Sequence, residues 1–137
     1  MPHAMEELRE VLNTEIELGE LLLQVLRQQQ QSLVNINAGL FARSLEKEQN
    51  LLELLQPLER ERIRLTAETF VPDEIGAPAG TTGLIADLEA RLKPIVTEII
   101  NTNLINKSLL EHSKQFIQET LRVITSDYSR QLIDHRI

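Results

Sequence analysis

Hydrophobic side chains recur every three and four residues along three long stretches of this chain, which is the spacing of one face of an α-helix. The pattern predicts a first helix over residues 5–34, a second over residues 40–69 and a C-terminal helical region over residues 84–133. Residues 71–83 hold three of the five glycines and two of the five prolines, so they are predicted to form a loop. The C-terminal stripe comprises Leu84, Leu88, Leu92, Ile95, Ile99, Leu109, Phe116, Leu121, Ile124 and Tyr128.

Short breaks and helix-disfavouring residues predict how these helices are arranged. The connection at residues 35–39 is so short that the first two helices must form an antiparallel hairpin, with Asn37 as the N-cap of the second. Thr82 is the expected N-cap of the third helix. Gly19 lies inside the first helix, where its benefit is the close approach of a neighbouring helix.

Two prolines and a polar cluster predict irregularities within the helices. Pro57 and Pro94 are expected to kink the second and third helices. Residues 101–106 have weak helix propensity, and a division of the third region into two helices is expected there if it divides at all. The predicted fold is therefore all-α, a single domain over residues 1–137, built as an antiparallel bundle of three long helices with the third kinked or split.

The C-terminal stripe is too long for the rest of the chain to cover. The first two helices would be rods of roughly 45–50 Å, whereas residues 82–133 as one helix would reach roughly 75–80 Å. Twelve large apolar residues lie between positions 104 and 133, and leaving half of them exposed would forgo on the order of 10 kcal/mol. Their cover is a fourth bundle helix, a second copy of the chain or a foreign peptide.

Charge and composition exclude several classes of protein. The formal net charge of −7 argues against sequence-independent binding of nucleic acid. The absence of cysteine excludes disulfides and thiolate metal sites. The first residues lack the basic and apolar regions of a signal peptide, and no apolar run is long enough for membrane insertion. The expected location is the cytoplasm.

Candidate catalytic groups lack the patterns that chemistry requires. His3, His112 and His135 are far apart in sequence, and none belongs to a His-Glu-x-x-His zinc motif. His112 lacks the Lys and Gly neighbours of a phosphotransfer histidine and is interpreted as a surface residue. Paired carboxylates lie among bases on polar helix faces. No enzyme activity, metal or cofactor is expected.

The sequence resembles the FlgN family of flagellar export chaperones along almost its whole length. The matching positions, in order, are Leu45-Glu46-Lys47-Glu48, Leu51-Leu52, Leu58, Arg62, Asn103, Asn106, Leu109-Leu110 and Tyr128. The resemblance implies an acidic, non-enzymatic chaperone that binds the C-terminal helical regions of hook-associated junction proteins. It further implies delivery of these proteins to the cytoplasmic domain of the export gate.

The resemblance also implies a binding surface on the C-terminal amphipathic helix. Tyr128 is a candidate contact with the export gate, and whether Asn103 and Asn106 bind a partner or form a hinge is left open. The alternative is a structural coiled-coil adaptor that homo-oligomerises through the same stripe, for which a homodimer is the simplest form. The implied protein-binding residues are Asn103, Asn106, Leu109, Leu110, Phe116, Ile117, Leu121, Ile124 and Tyr128.

Overall fold

Three α-helices make up the computed structural model, which describes residues 2–69 and 79–136. Helix α1 is Pro2–Val34, α2 is Ala38–Thr69 and α3 is Ala79–Arg136. Within these helices, the side chains of residues 2, 79–82, 124 and 127–136 lie outside the description. The all-α helical bundle expected from the periodicity is confirmed.

The starts of all three helices and the end of the third differ from the predicted ones; α2 begins two residues early and α3 ends three residues late. Helix α1 begins three residues before the predicted start. Helix α3 begins at Ala79, inside the predicted loop, so Thr82 lies within the helix and the N-cap assigned to it is wrong. Residues 79–83 contain no proline, and each of the two glycines among them costs a helix only about 1 kcal/mol. The rest of that predicted loop, residues 71–78, lies outside the described residues, as does residue 70.

The connection between α1 and α2 is a tight turn, called here the hairpin tip (residues 35–37). The Asn37 side-chain Oδ1 accepts a hydrogen bond from the Leu40 backbone N–H at 3.1 Å, which confirms Asn37 as the N-cap of α2. The Asn37 N–H donates to the Ser32 carbonyl at 2.8 Å, and Ile36 between them adopts a positive φ of 52°. This is the geometry of a Schellman helix end, and it reverses the chain into an antiparallel hairpin.

Helix α1 is the central helix of the bundle and packs against both α2 and α3. Over the described residues, the backbones of α2 and α3 remain apart. The apolar core lies where the N-terminal half of α1 meets the C-terminal half of α2 and the start of α3. Its buried members are Leu8, Leu12, Ile16, Leu65, Ile85, Leu88 and Leu92. These neighbours show that α3 runs parallel to α1, so the three helices are ordered up, down, up.

Gly19 allows α1 and α3 to approach closely. A Cβ atom at this position would lie 3.0 Å from Cγ2 of Ile95 and 3.9 Å from Cδ1 of Ile99. The first distance is shorter than ordinary van der Waals contact, so a side chain here would push α3 away from α1. The close approach expected from the glycine is therefore confirmed.

Helix α3 is one uninterrupted helix of 58 residues. The division expected near residues 101–106 is absent, and Pro57 and Pro94 each lie inside a helix that continues beyond them. Tertiary contacts offset the weak helix propensity of this region, because Thr102 and Asn106 are buried and Asn106 hydrogen bonds to α1. The third helix therefore does not fold back on the hairpin.

Candidate partner-binding surface

The C-terminal part of α3 extends beyond the hairpin. The Asn106 side chain contacts Gln29, a residue 77 positions earlier, so Val34 at the end of α1 lies level with about residue 111. The remainder of α3, residues 113–136, is called here the arm. At the helical rise it projects about 36 Å past the hairpin tip. The sequence predicts that the third helix is longer than the first two, and in the structure its extra length projects beyond the hairpin.

The arm presents large apolar side chains to solvent. Every residue from Lys114 to Val123 is exposed, including Phe116 at 62% and Leu121 at 58%. Ile117 and Val123 are exposed to a similar extent. Four such residues within eight positions form a continuous apolar surface, which in soluble proteins is typical of an interaction site. Fully burying each one would contribute about 1.5–3 kcal/mol.

The main stripe of the arm continues the face by which α3 packs on α1. At ~100° per residue, Ile117 and Leu121 have the same helical phase as Leu88, Leu92 and Asn106. Lower in the bundle this face is covered by α1, whereas along the arm α1 has ended. A partner helix could therefore take up the position that α1 occupies below.

A second apolar row lies beside this stripe. Leu109, Phe116 and Val123 are seven residues apart and share one helical phase, offset from Ile117 by about 100°. Leu109 is half-buried near the end of the hairpin, and the other two are exposed. The two rows together make the apolar surface wider than a strict coiled-coil seam.

The two asparagines of the predicted site occupy different environments. Asn103 is exposed, whereas Asn106 is 4% exposed and directed into the bundle. Its Nδ2 donates to the Leu26 carbonyl at 2.9 Å and to Gln29 Oε1 at 3.1 Å. Gln29 Nε2 in turn donates to Glu48 Oε2 on α2 at 3.1 Å. In this conformation Asn106 joins the helices and is not accessible to a partner.

These hydrogen bonds from Asn106 through Gln29 to Glu48 fix the register of α3 on the hairpin. A shift of α3 along α1 would leave the Asn106 side-chain amide and the Gln29 side-chain Oε1 without partners in a buried site, at a cost of about 1–3 kcal/mol for each group. The register in turn determines how much of α3 projects. Asn106 therefore determines how much of the arm is exposed, because its hydrogen bonds set the register of α3.

The remaining residues of the predicted site lie along the arm or at its base. Leu109 and Leu110 are half-buried at the level of the hairpin tip, and Phe116, Ile117 and Leu121 are exposed on the arm. The side chains of Ile124 and Tyr128 lie outside the described residues, although their backbones belong to α3.

Two further apolar surfaces were not predicted. Val34, Ile36 and Leu40 are exposed at the hairpin tip, at the end of the bundle from which the arm projects. The second surface is an open groove of about 610 Å³ between α2 and α3, where Ile63 and Val96 are 56% and 43% exposed. The sequence signal for the groove was the recurrence of Val96, Ile100 and Leu104 at four-residue steps beside the main stripe.

Arg62, one of the residues that line the groove, forms an ion pair with the buried Glu15 of α1. Arg62 Nε donates to both carboxylate oxygens of Glu15, at 2.9 and 3.1 Å. Burial raises the pKa of Glu15 above its ordinary value, and the charge and hydrogen bonds of Arg62 oppose that shift. The pair holds α2 to α1, and the Glu15 carboxylate neutralises the positive charge of Arg62 at the groove.

In the described part of the chain, the histidine and carboxylate side chains do not come together as a metal-binding cluster. His112 is exposed, and its Nδ1–H donates to the Ser108 carbonyl of its own helix at 2.8 Å. Among the described residues no group of three or more His, Cys, Asp or Glu side chains could hold a metal ion. Nor does any described helix have the length and hydrophobicity to cross a membrane.

Comparison with known proteins gives one match. Residues 1–132 match the family model described as FlgN protein. A comparison with curated proteins finds no match, and a comparison with solved structures finds none either. The matched range includes the hairpin and the arm as far as residue 132.

Proposed function

The chain belongs to the FlgN family of flagellar export chaperones, and we propose on that premise that its clients are hook-associated junction proteins. It binds their C-terminal helical regions in the cytoplasm and delivers them to the cytoplasmic domain of the export gate. The proposal involves no catalytic step, cofactor or nucleic acid. The observation that supports it is the exposed apolar arm, which no other described part of the chain covers.

The arm is suited to pairing with an amphipathic client helix. Ile117 and Leu121 continue the face that α1 covers lower in the bundle, and Phe116 widens it. An apolar helix face from the client would bury these side chains in the way that α1 buries Leu88 and Leu92. Ile124 and Tyr128 extend the same helical phase in sequence, and Tyr128 is the proposed contact with the export gate.

Coupled folding would keep the affinity moderate and the complex reversible. A client segment that is disordered alone loses conformational entropy when it becomes helical on the arm, which offsets part of the gain from apolar burial. Release then requires only competition for the arm at the export gate. The net negative charge of the chaperone keeps such a complex soluble and disfavours nucleic acid.

Client binding is tested by comparing the affinity of the Leu121→Asp variant for a hook-associated protein with that of the unmodified chain. A carboxylate in the middle of the buried stripe should weaken binding by about 3 kcal/mol, or roughly 100-fold. Leu121 is exposed in the free chain, so helicity by circular dichroism should change little. Isothermal titration with the client's C-terminal segment measures the difference.

The matched control is Leu21→Asp, which places the same change on an exposed leucine of α1. It should bind the client as the unmodified chain does. Equal client affinity for Leu121→Asp and Leu21→Asp would show that the arm is not the binding surface. If no hook-associated protein binds the unmodified chain, the structural adaptor becomes the better interpretation.

A further inference from the structure

An isoleucine at the hairpin tip has a backbone conformation that suits glycine. Ile36 has a φ of 52°, and among the described residues it is the only non-glycine residue with a positive φ. This conformation is unfavourable for a β-branched residue, because the Cβ atom crowds the carbonyl oxygen that follows. Glycine is the usual residue at this position of a Schellman helix end. Ile36 therefore strains the backbone of the free chain.

The side chain of Ile36 does not offset this strain by packing inside the fold. It is 66% exposed, and Val34 and Leu40 beside it are each at least half exposed. These three residues are called here the tip patch. Strained backbone conformations of this kind cluster at binding sites. The combination of strain and exposure at Ile36 indicates a partner that covers the tip patch.

The tip patch can be covered at little electrostatic cost. Residues 28–42 contain no Asp, Glu, Lys or Arg, although these residues make up 26% of the chain. The N–H groups of residues 35–37 donate to carbonyls of α1, and the Leu40 N–H donates to Asn37 Oδ1. A partner would therefore leave none of these donors unpaired when it excludes water. Depletion of charge is also typical of the centre of a protein interface.

The tip patch is continuous with the interface between α1 and α3. The face of α3 that packs on α1 continues through Ser113 to Ile117 and Leu121. Ser113 is half-buried, whereas the next ten residues are exposed, so the cover given by α1 ends at this level. A helix that lies on the arm in line with α1 would have one of its ends against the tip patch.

We propose that the tip patch seats the last turn of the client helix, with Ile36 as its central contact. The inference rests on the proposed function, because the occupant is the amphipathic client helix that lies on the arm. The arm covers the side of that helix, and the tip patch sets how far along the arm it lies. Its last turn is expected to present apolar, uncharged side chains. Asn35, exposed next to Ile36, offers an amide to the open backbone groups of the helix end.

Ile36→Gly tests this proposal because it should change stability and binding in opposite directions. Glycine adopts the positive φ without strain, so the melting temperature of the free chain should rise by about 3 °C. The same substitution removes the side chain that the client covers. Isothermal titration with the C-terminal segment of a hook-associated protein should therefore show about tenfold weaker binding. A residue that only shapes the turn would not separate the two effects in this way.

Two further comparisons show whether the apolar side chains of the tip patch make the contact. Ile36→Leu restores an apolar side chain and should recover most of the affinity that Ile36→Gly loses. Leu40→Gln should weaken client binding about fivefold. Its matched control is Leu54→Gln, which changes a comparably exposed leucine about 21 Å further along α2 and should leave the affinity unchanged.

Unchanged client affinity in Ile36→Gly would overturn the proposal, and so would a loss that Ile36→Leu does not recover. A second copy of the chain is the competing occupant. If light scattering shows that Ile36→Gly lowers the mass of the free chain while client affinity is unchanged, the patch belongs to that copy and the proposal fails. Leu121→Asp is measured alongside. If it weakens client binding and Ile36→Gly does not, the proposed function stands without a role for the tip patch.

Discussion

We expect Arg62→Met to lower the free energy of unfolding by about 3 kcal/mol, because it leaves the Glu15 carboxylate buried without its partner. The Glu15 side chain is 7% exposed and that of Arg62 is 29% exposed. The partial exposure of the guanidinium places the effect at the lower end of the range for buried pairs. Urea unfolding followed by circular dichroism measures it.

The control for this substitution is Arg64→Met on the same helix. Arg64 pairs with Glu61 and Glu68, but all three side chains are well exposed, so its loss should cost no more than about 1 kcal/mol. The double variant Glu15→Met with Arg62→Met should recover most of the stability, since apolar side chains can replace a buried pair. Equal losses for Arg62→Met and Arg64→Met would contradict the structural role of the pair.

The dependence on pH follows from the raised pKa of Glu15. Because burial raises that pKa above 4.5, the folded chain holds the proton more tightly than the unfolded chain does. The contribution of Glu15 is thus most favourable at low pH and is lost as pH rises through the folded pKa. Without Arg62 the pKa rises further, so the deficit of Arg62→Met should grow between acidic and neutral pH.

We expect Asn106→Asp to destabilise the chain at neutral pH by about 3 kcal/mol. The substitution replaces the Nδ2 donor by a carboxylate oxygen facing two acceptors, the Leu26 carbonyl and Gln29 Oε1. Below the pKa of the new carboxyl group a proton could again be donated to one of them. The deficit should therefore shrink as pH falls.

Asn103→Asp is the matched control, since it makes the same change one turn earlier at an exposed position. It should alter stability by no more than about 0.5 kcal/mol at any pH in the series. Thermal unfolding of both variants between acidic and neutral pH makes the comparison. Similar stability for the two variants would mean that the hydrogen bonds of Asn106 do not hold α3 in register.

Local features of the fold could be predicted from the sequence because they depend on neighbours in the chain. Helical periodicity predicted three helices, the short turn predicted the antiparallel hairpin, and Asn37 and Gly19 were assigned correctly. Thr82 failed because the helix tolerates its glycines and starts earlier. The polar residues at 101–106 suggested a break, since their burial against α1 cannot be read from propensity.

The arrangement of the site depends on long-range contacts, and this part the sequence left open. Asn106 contacts Leu26 and Gln29, which lie 80 and 77 residues away, and this register determines where α1 stops covering α3. The stripe through Ile117 and Leu121 could be recognised, but its exposure could not. The groove lined by Ile63 and Val96 exists because α2 and α3 both pack on α1 while their described backbones stay apart, which the sequence pattern does not specify.

The distance between spin labels on α1 and on the arm tests the projection of α3 most directly. The chain has no cysteine, so Asn13→Cys and Ser126→Cys, both at exposed positions, give one labelled pair. Pulsed electron spin resonance in an excess of unlabelled protein removes distances between copies. A continuous α3 in the observed register predicts a separation of roughly 55 Å. A separation under roughly 25 Å would mean that α3 folds back near residue 104, leaving no projecting arm.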